Sequence, residues 1–196
     1  MLRCGWCCDH GIVQKYHDDE WGIPFHDDRK HFEYLSLGVM QCGLNWTMML
    51  KKREIFRACF DDFDYNKIAQ YGEDKVTQIL ETEEMIKSKT KVDAIIHNAN
   101  CFLAIIEECG SFDDYIWAFS NHRTFIYRNH KRGLGEGKNG LSDTVSSDLK
   151  KRGFKYLSSV TIYSHLQACG IINDHATDCW MYEILLDLGN IRFIDE

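Results

Sequence analysis

The sequence predicts an all-α fold. Three observations carry that prediction. A single proline, Pro24, interrupts the chain. Apolar residues recur at helical spacing along most of its length. No stretch alternates apolar and polar residues as a half-buried strand does. Glycines fall mostly at the breaks between periodic segments.

Taken in order, the elements follow from caps and spacing. After Pro24, Asp27 or Asp28 caps a helix that carries Phe32, Leu35, Val39 and Met40 on one face. Gly38 sits inside it at a cost of about 1 kcal/mol relative to alanine. Residues 43–60 restart a helix whose Met48, Met49, Ile55, Phe56 and Phe60 form core. Asp64 caps a short helix with Ile68, and Glu73 to Leu80 gives another. Residues 89–109 form a long helix with Val92, Ile95, Ile96, Ala99, Phe102 and Ile106 on one face. Phe112, Tyr115, Ile116, Trp117 and Phe119 make a short aromatic helix. The segment from Arg128 to Gly140 holds four glycines and no apolar period, so it is a loop. Ser142 or Asp143 caps a helix to Arg152, Gly153 turns the chain, and a last helix runs from about Ser159 to Cys169 until Gly170 stops it. Together these suggest one helical unit over residues 1–196.

Bulk composition narrows the setting. Hydrophobic residues make up 44% of the 196, enough for a sizeable core. No apolar run is long enough to span a membrane and no signal peptide opens the chain, so a cytoplasmic location is expected. Nine cysteines, an odd number, then favour thiols and metal over disulfides. The net charge of −7 argues weakly against a broad nucleic-acid surface. Distribution matters more. Residues 121–140 carry Arg123, Arg128, Lys131, Arg132 and Lys138 against Glu136, and residues 149–155 carry Lys150, Lys151, Arg152 and Lys155 with no acid. A basic zone on an acidic body can follow a phosphate backbone, although charge alone more often marks a solvated loop and helix end.

Three groups of residues carry chemistry. The first joins the chain ends. Cys4, Cys7, Cys8, His10 and His17 cluster near the start, and His175 and Cys179 stand four apart near the end, on one face if that segment is helical. Thiolates and imidazoles in fours suit tetrahedral zinc. Spacing leaves the N-terminal pair open between Cys4 with Cys7 and Cys4 with His17, with Cys8 and His10 as further candidates. A closed set of four would make the metal structural and exclude a zinc hydrolase. The second group is Trp6, Tyr16, Trp21 and Trp46, whose faces can sandwich a flat, electron-poor ring or simply fill core. The third is the turn at Gly153, which can aim backbone N–H groups and a helix start at a phosphate.

The runs RCGW, YHDxEWGxP (Tyr16 to Pro24), QxGLxW (Gln41 to Trp46), LKKRExxRACF (Leu50 to Phe60), LKKRGFK (Leu149 to Lys155) and QACGxxNDH (Gln167 to His175) stand in order along nearly the whole chain. Together they resemble the 3-methyladenine DNA glycosylase I family. The resemblance implies a helix-hairpin-helix fold of two helical lobes, with the hairpin at about 142–170 and a zinc clasp made by segments 4–17 and 175–179. It implies a monomeric, monofunctional enzyme that flips an alkylated adenine from double-stranded DNA and cuts its N-glycosidic bond. Carried over by motif, the structural zinc ligands are Cys4, His17, His175 and Cys179. The base pocket is Trp46, Tyr16, Trp6 and Trp21. The backbone contacts fall at Gly153, Lys155, Ser158 and Lys151.

Two positions depart from the family. Gly38 stands where the family has a glutamate that contacts the flipped base, and Ser158 replaces the hairpin's second glycine. The first departure leaves the catalytic group unassigned and opens two outcomes: a working glycosylase with altered lesion choice, its pocket enlarged at Gly38, or, as the alternative, a non-catalytic or altered-specificity binder of damaged DNA. Glu33 does not substitute, because the family carries a glutamate there as well. Asp174 is the acid nearest the hairpin that could activate water, but a helix cap is its more ordinary use.

Overall fold

The computed structural model describes residues 1–7, 11–128, 137–188 and 190–195. Among these, ten α-helices carry the fold: α1 (Gly11–Asp19), α2 (Asp28–Gln41), α3 (Trp46–Cys59), α4 (Tyr65–Ile68), α5 (Glu73–Glu81), α6 (Lys89–Cys109), α7 (Phe112–Ala118), α8 (Gly140–Lys151), α9 (Ser159–Ala168) and α10 (Trp180–Leu188). The expected helical class holds, with one addition. Two short strands, β1 (Thr124–Tyr127) and β2 (Ile191–Ile194), pair in parallel with Thr124 opposite Ile191 and Tyr127 opposite Ile194. All of β1 is buried, so it shows no alternation for a sequence pattern to catch.

The caps explain where helices begin. Asp27 accepts the Lys30 N–H at 2.7 Å, and Asn45 accepts that of Met48 at 2.9 Å. For α8 the cap is neither Ser142 nor Asp143. Asn139 takes that place, and Ser142 closes a reciprocal capping box with it three residues later. The segment from His175 to Cys179 is a turn ahead of α10, not a helix. The expected loop around residues 129–136 lies outside the described residues.

α2 runs through the middle of the molecule. Every residue from His31 to Met40 is buried, so this helix is covered on all sides. It contacts α3, α6, α7 and α9. Phe102 of α6 stacks on Phe112 of α7 at 4.2 Å between ring centroids. The apolar interior forms two clusters. The larger spans α2 to α9. The smaller gathers Cys4, Val13, Tyr16, Trp21, Tyr34, Cys179 and Leu185, and so ties the two chain ends to the middle of α2.

One glycine fixes how the chain ends meet. Gly170 follows α9 with φ +79°, and a Cβ there would stand 2.6 Å from the Pro24 nitrogen. Both the left-handed backbone and the close approach demand glycine. Gly170→Ala is therefore expected to lower unfolding free energy by about 2 kcal/mol or more. Gly5→Ala, where a Cβ meets nothing within 4 Å, should stay within about 0.5 kcal/mol. Urea denaturation of both variants checks the contrast.

Candidate functional site

Four buried side chains from the two ends of the chain converge. The ligand atoms of Cys4, His17, His175 and Cys179 all lie within 4.8 Å of one another. Cys179 Sγ stands 3.4 Å from His17 Nε2 and 3.5 Å from His175 Nδ1, and Cys4 Sγ is 3.6 Å from His175 Nδ1. The outer nitrogens are already used. His175 Nε2 donates to the Trp21 carbonyl at 3.1 Å, and His17 Nδ1 faces Asp18 at 2.9 Å. Each imidazole is thus held with its inner nitrogen turned to the sulfurs, the arrangement that orients metal-bound histidines. Gly22 permits this: its φ is +82°, and a Cβ would come 2.8 Å from His175 Nε2.

Burial pushes the Cys4 thiol well up and, with His17 alongside, the His175 imidazole down to about 3. A cation at the centre would reverse that pressure on the thiols. The donor set fits a tetrahedral divalent ion. Cys7 is not part of it; its thiol donates to the Cys4 carbonyl at 3.1 Å. Cys8 and His10 lie outside the described residues.

A cavity of about 260 Å³ opens beside this cluster. Its wall includes Trp6, Tyr16, Trp21 and Trp46, the four aromatics singled out in the sequence. Trp6 meets Trp21 edge-on at 4.8 Å, and Tyr16 stands 5.4 Å from Trp46. The volume falls just below the range typical of drug-sized ligands, about 300–1,000 Å³, and suits a small flat ring. Sequence reasoning missed Tyr34, which lies parallel to Trp46 at 6.5 Å and lines the same space. It also missed the polar wall from α9: Thr161, Ser164, His165 and Gln167. Helical periodicity marked α9 as structure and gave no sign of which face meets a cavity.

Buried charge holds the aromatic wall from behind. Arg53 donates to both Glu20 oxygens at 2.8 Å and to Glu33 at 2.7 Å, and Tyr34 donates to Glu20 at 2.8 Å. Burial alone would raise the Glu20 carboxyl, but hydrogen bonds from Arg53 and Tyr34 hold it below its ordinary range. Arg57 adds a contact to Glu33 at 3.1 Å. Glu33 is thus fully engaged and does not line the cavity.

Gly38 does line it, yet the space beside its Cα is not open. A Cβ there would stand 2.8 Å from Thr161 Cγ2. The expected enlargement at this point is thus offset by a methyl from α9. Asp174 also faces the cavity. It is no helix cap: it accepts hydrogen bonds from the Tyr163 hydroxyl at 3.0 Å and from Gln167 at 2.8 Å.

The basic turn lies at the other end of α9. Lys151 and Lys155 are exposed and form no ion pair among the described residues. Arg152 is taken up by Glu108 at 2.6 Å and Asp148 at 2.8 Å, so it adds little free charge. The turn is braced by Asn98, which accepts the Lys155 N–H at 2.8 Å, and by His97, which donates to the Gly153 carbonyl at 2.9 Å. Ser158 caps α9 by accepting from the Thr161 N–H at 3.3 Å. Of the more N-terminal basic zone, Lys131 and Arg132 lie outside the described residues, and Arg128 pairs with Asp195 at 3.1 Å.

Comparison with known proteins gives the family and agrees with the helical fold. A family model described as methyladenine glycosylase matches residues 6–182. DNA-3-methyladenine glycosylase 1 of Escherichia coli (strain K12) is 39% identical over 182 residues, covering 93% of this chain and 97% of that protein. A crystal structure of 3-methyladenine DNA glycosylase I superposes with a TM-score of 0.86 at 40% identity, covering 91% of this chain and 98% of the other. A variant of 3-methyladenine DNA glycosylase I in complex with 3-methyladenine gives a TM-score of 0.86 at 29% identity, covering 92% and 97%.

The contact between residues 38 and 161 yields a stability prediction. In a double-mutant cycle, Gly38→Ala should be more favourable by about 1 kcal/mol in a Thr161→Ser background than in the wild type, because the serine lacks the crowding methyl. Denaturant midpoints of the four proteins measure the coupling, and additive effects would show that the methyl moves aside freely.

Proposed function

Because this chain belongs to the methyladenine glycosylase family, we propose that it excises N3-alkylated adenine from DNA by hydrolysing the N-glycosidic bond. The observation that carries the reading is the cavity that gathers Trp6, Tyr16, Trp21 and Trp46 from separate parts of the sequence. An alkylated adenine still joined to deoxyribose bears a positive charge. Its flat cationic ring is favoured against aromatic faces by roughly 0.5–2 kcal/mol per contact. A damaged nucleotide also costs less to unstack than a normal one, which favours its entry.

Cleavage breaks the bond between the base and C1′ of the sugar. The base leaves neutral with the bonding pair, and the sugar becomes an oxocarbenium ion. Water adds at C1′ and loses a proton to solvent. Since the base departs without needing a proton, the chemistry asks less of a catalytic acid than removal of a normal base does. No lysine nucleophile is placed by the motifs, so strand cleavage is not expected.

The exposed Lys151 and Lys155, with the Gly153 and Ser158 backbone, form a basic elbow that suits a DNA phosphate. α9 starts at this elbow and lines the cavity further along, so one rigid element links backbone grip to base pocket. A zinc ion held by Cys4, His17, His175 and Cys179 would supply cross-linking only. With four protein ligands it has no open position for water.

Release of free base from a duplex carrying 3-methyladenine tests the reading. Trp46→Ala is expected to reduce the rate by about 10²-fold or more, the scale of losing an interaction that acts in the transition state. Binding of the duplex without any release would favour the second reading, a non-catalytic reader of damage, which the glycine at position 38 keeps in play. Lys151→Ala combined with Lys155→Ala should weaken binding to any DNA sequence and reduce the slope of log affinity against log salt by about 2. Metal analysis should find one zinc per chain, absent in Cys179→Ala together with a fall in melting temperature.

A further inference from the structure

A chain of hydrogen bonds runs from the surface to the cavity wall through residues that the proposed function leaves unused. Exposed His26 approaches Asp113 through Nδ1 at 2.9 Å. The other Asp113 oxygen is 3.0 Å from His31 Nε2. His31 Nδ1 is 3.2 Å from His165 Nε2. Both His31 and His165 are buried, and His165 lines the cavity next to Gly38 and Thr161. The second nitrogen of His165, Nδ1, is buried with no partner among the described residues.

Charge and tautomer follow from the partners. Although burial opposes it, the hydrogen bonds from His31 and His26 hold the Asp113 carboxyl below its usual range, so it stays ionised and accepts. Burial pushes the His31 and His165 imidazoles down, so both rings are neutral. A neutral imidazole has one donor and one acceptor. His31 must donate to Asp113 through Nε2, which leaves its Nδ1 as an acceptor. His165 must then donate to it through Nε2, which leaves His165 Nδ1 as a bare lone pair. A buried acceptor without a partner is costly and marks a place where a ligand completes the bonding.

Among the described residues, two cavity-lining side chains hold a buried polar atom without a partner: Trp46, whose Nε1 is only ever a donor, and His165. An exocyclic amino group needs an acceptor. We infer that His165 recognises the 6-amino group of the bound base, taking over from α9 the contact that a carboxylate at position 38 would have made. His31 and Asp113 are positioning residues that set the tautomer. Cys169 lies near both histidines, but its thiol donates to the Leu166 carbonyl at 3.6 Å, so the pair reads as a hydrogen-bond relay and not as a second metal centre.

This inference rests on the base-pocket reading, and the test separates the two. The probes are free 3-methyladenine and 3-methylhypoxanthine, which differ at position 6, an amino donor against a keto acceptor, and in the ring proton that the keto base carries. Calorimetric titration of the wild type should favour 3-methyladenine by about tenfold or more, the size of one hydrogen bond to a desolvated acceptor. His165→Phe, close in shape, should lose that preference while still binding both bases. In the unmutated protein, ¹⁵N resonances should show His165 protonated at Nε2, with the Nδ1 signal moving when 3-methyladenine is added. Equal weakening of both bases in His165→Phe, an Nδ1-protonated His165, or a second metal ion per chain would overturn the assignment. Binding of neither base to the wild type would overturn the pocket reading along with it.

Discussion

Everything in this molecule depends on the closure of its two ends upon each other. Cys4 and His17 come from the first segment, and His175 and Cys179 from a turn far along the chain. Two thiols and two imidazoles buried together have little reason to meet as neutral groups. Thiols are weak hydrogen-bond partners, and burial works against charging either type. Their inner atoms nevertheless face one another, and their outer nitrogens are tied to Trp21 and Asp18. A divalent ion held by the four would resolve that contradiction, and closing so long a loop would also stabilise the fold by restricting the unfolded chain. The consequence for function is direct. Trp6 and Trp21 lie between or beside the clasping residues, so the clasp places two walls of the cavity.

Another part of the wall is held by a different force. Arg53, Glu20 and Glu33 form a mostly buried ionic network under Tyr34. Such groups are costly to desolvate, and replacing them with apolar residues often stabilises a protein. Their use here is geometric. Arg53 spans two carboxylates in a fixed fork, and one of those carboxylates fixes the Tyr34 hydroxyl. The phenol ring is thereby held parallel to Trp46. A cavity for a flat ring needs walls at a set spacing, and directional bonds set spacing better than apolar contact does.

Much of this could be read from the chain, for identifiable reasons. Helices with strong periodicity, such as α6, and those with a clear cap, such as α2, stand where spacing and caps put them. Cys4, His17, His175 and Cys179, which do converge, were set apart from Cys7 by the resemblance to a family, which spacing alone did not do. β1 was invisible because it is buried throughout and only four residues long. Arg53 and Glu33 belonged to a motif whose physical purpose showed only once α2 and α3 were packed together. The polar face of α9 was hidden for another reason. Helix spacing says which residues share a face, and it does not say whether that face meets core or a cavity.

That face changes how the glycine at position 38 is understood. Viewed along the sequence, Gly38 is a loss: a carboxylate gone from the pocket proposed to take a cationic ring. Viewed across the interface of α2 and α9, it is half of an exchange. Thr161 occupies the space against Gly38, and His165, one turn further along α9, lines the same cavity and keeps a buried nitrogen without a partner among the described residues. The polar function moves from one helix to its neighbour, and its support moves with it, through His31 to Asp113. The substitution also changes the electrostatics. A carboxylate offers both charge and an acceptor, whereas a neutral imidazole held by a relay offers the acceptor alone. A pocket built this way depends less on attraction to the lesion's charge and more on the pattern of donors along the edge of the base. Selectivity then rests on the amino group, and the aromatic faces supply affinity for any flat electron-poor ring that fits between them.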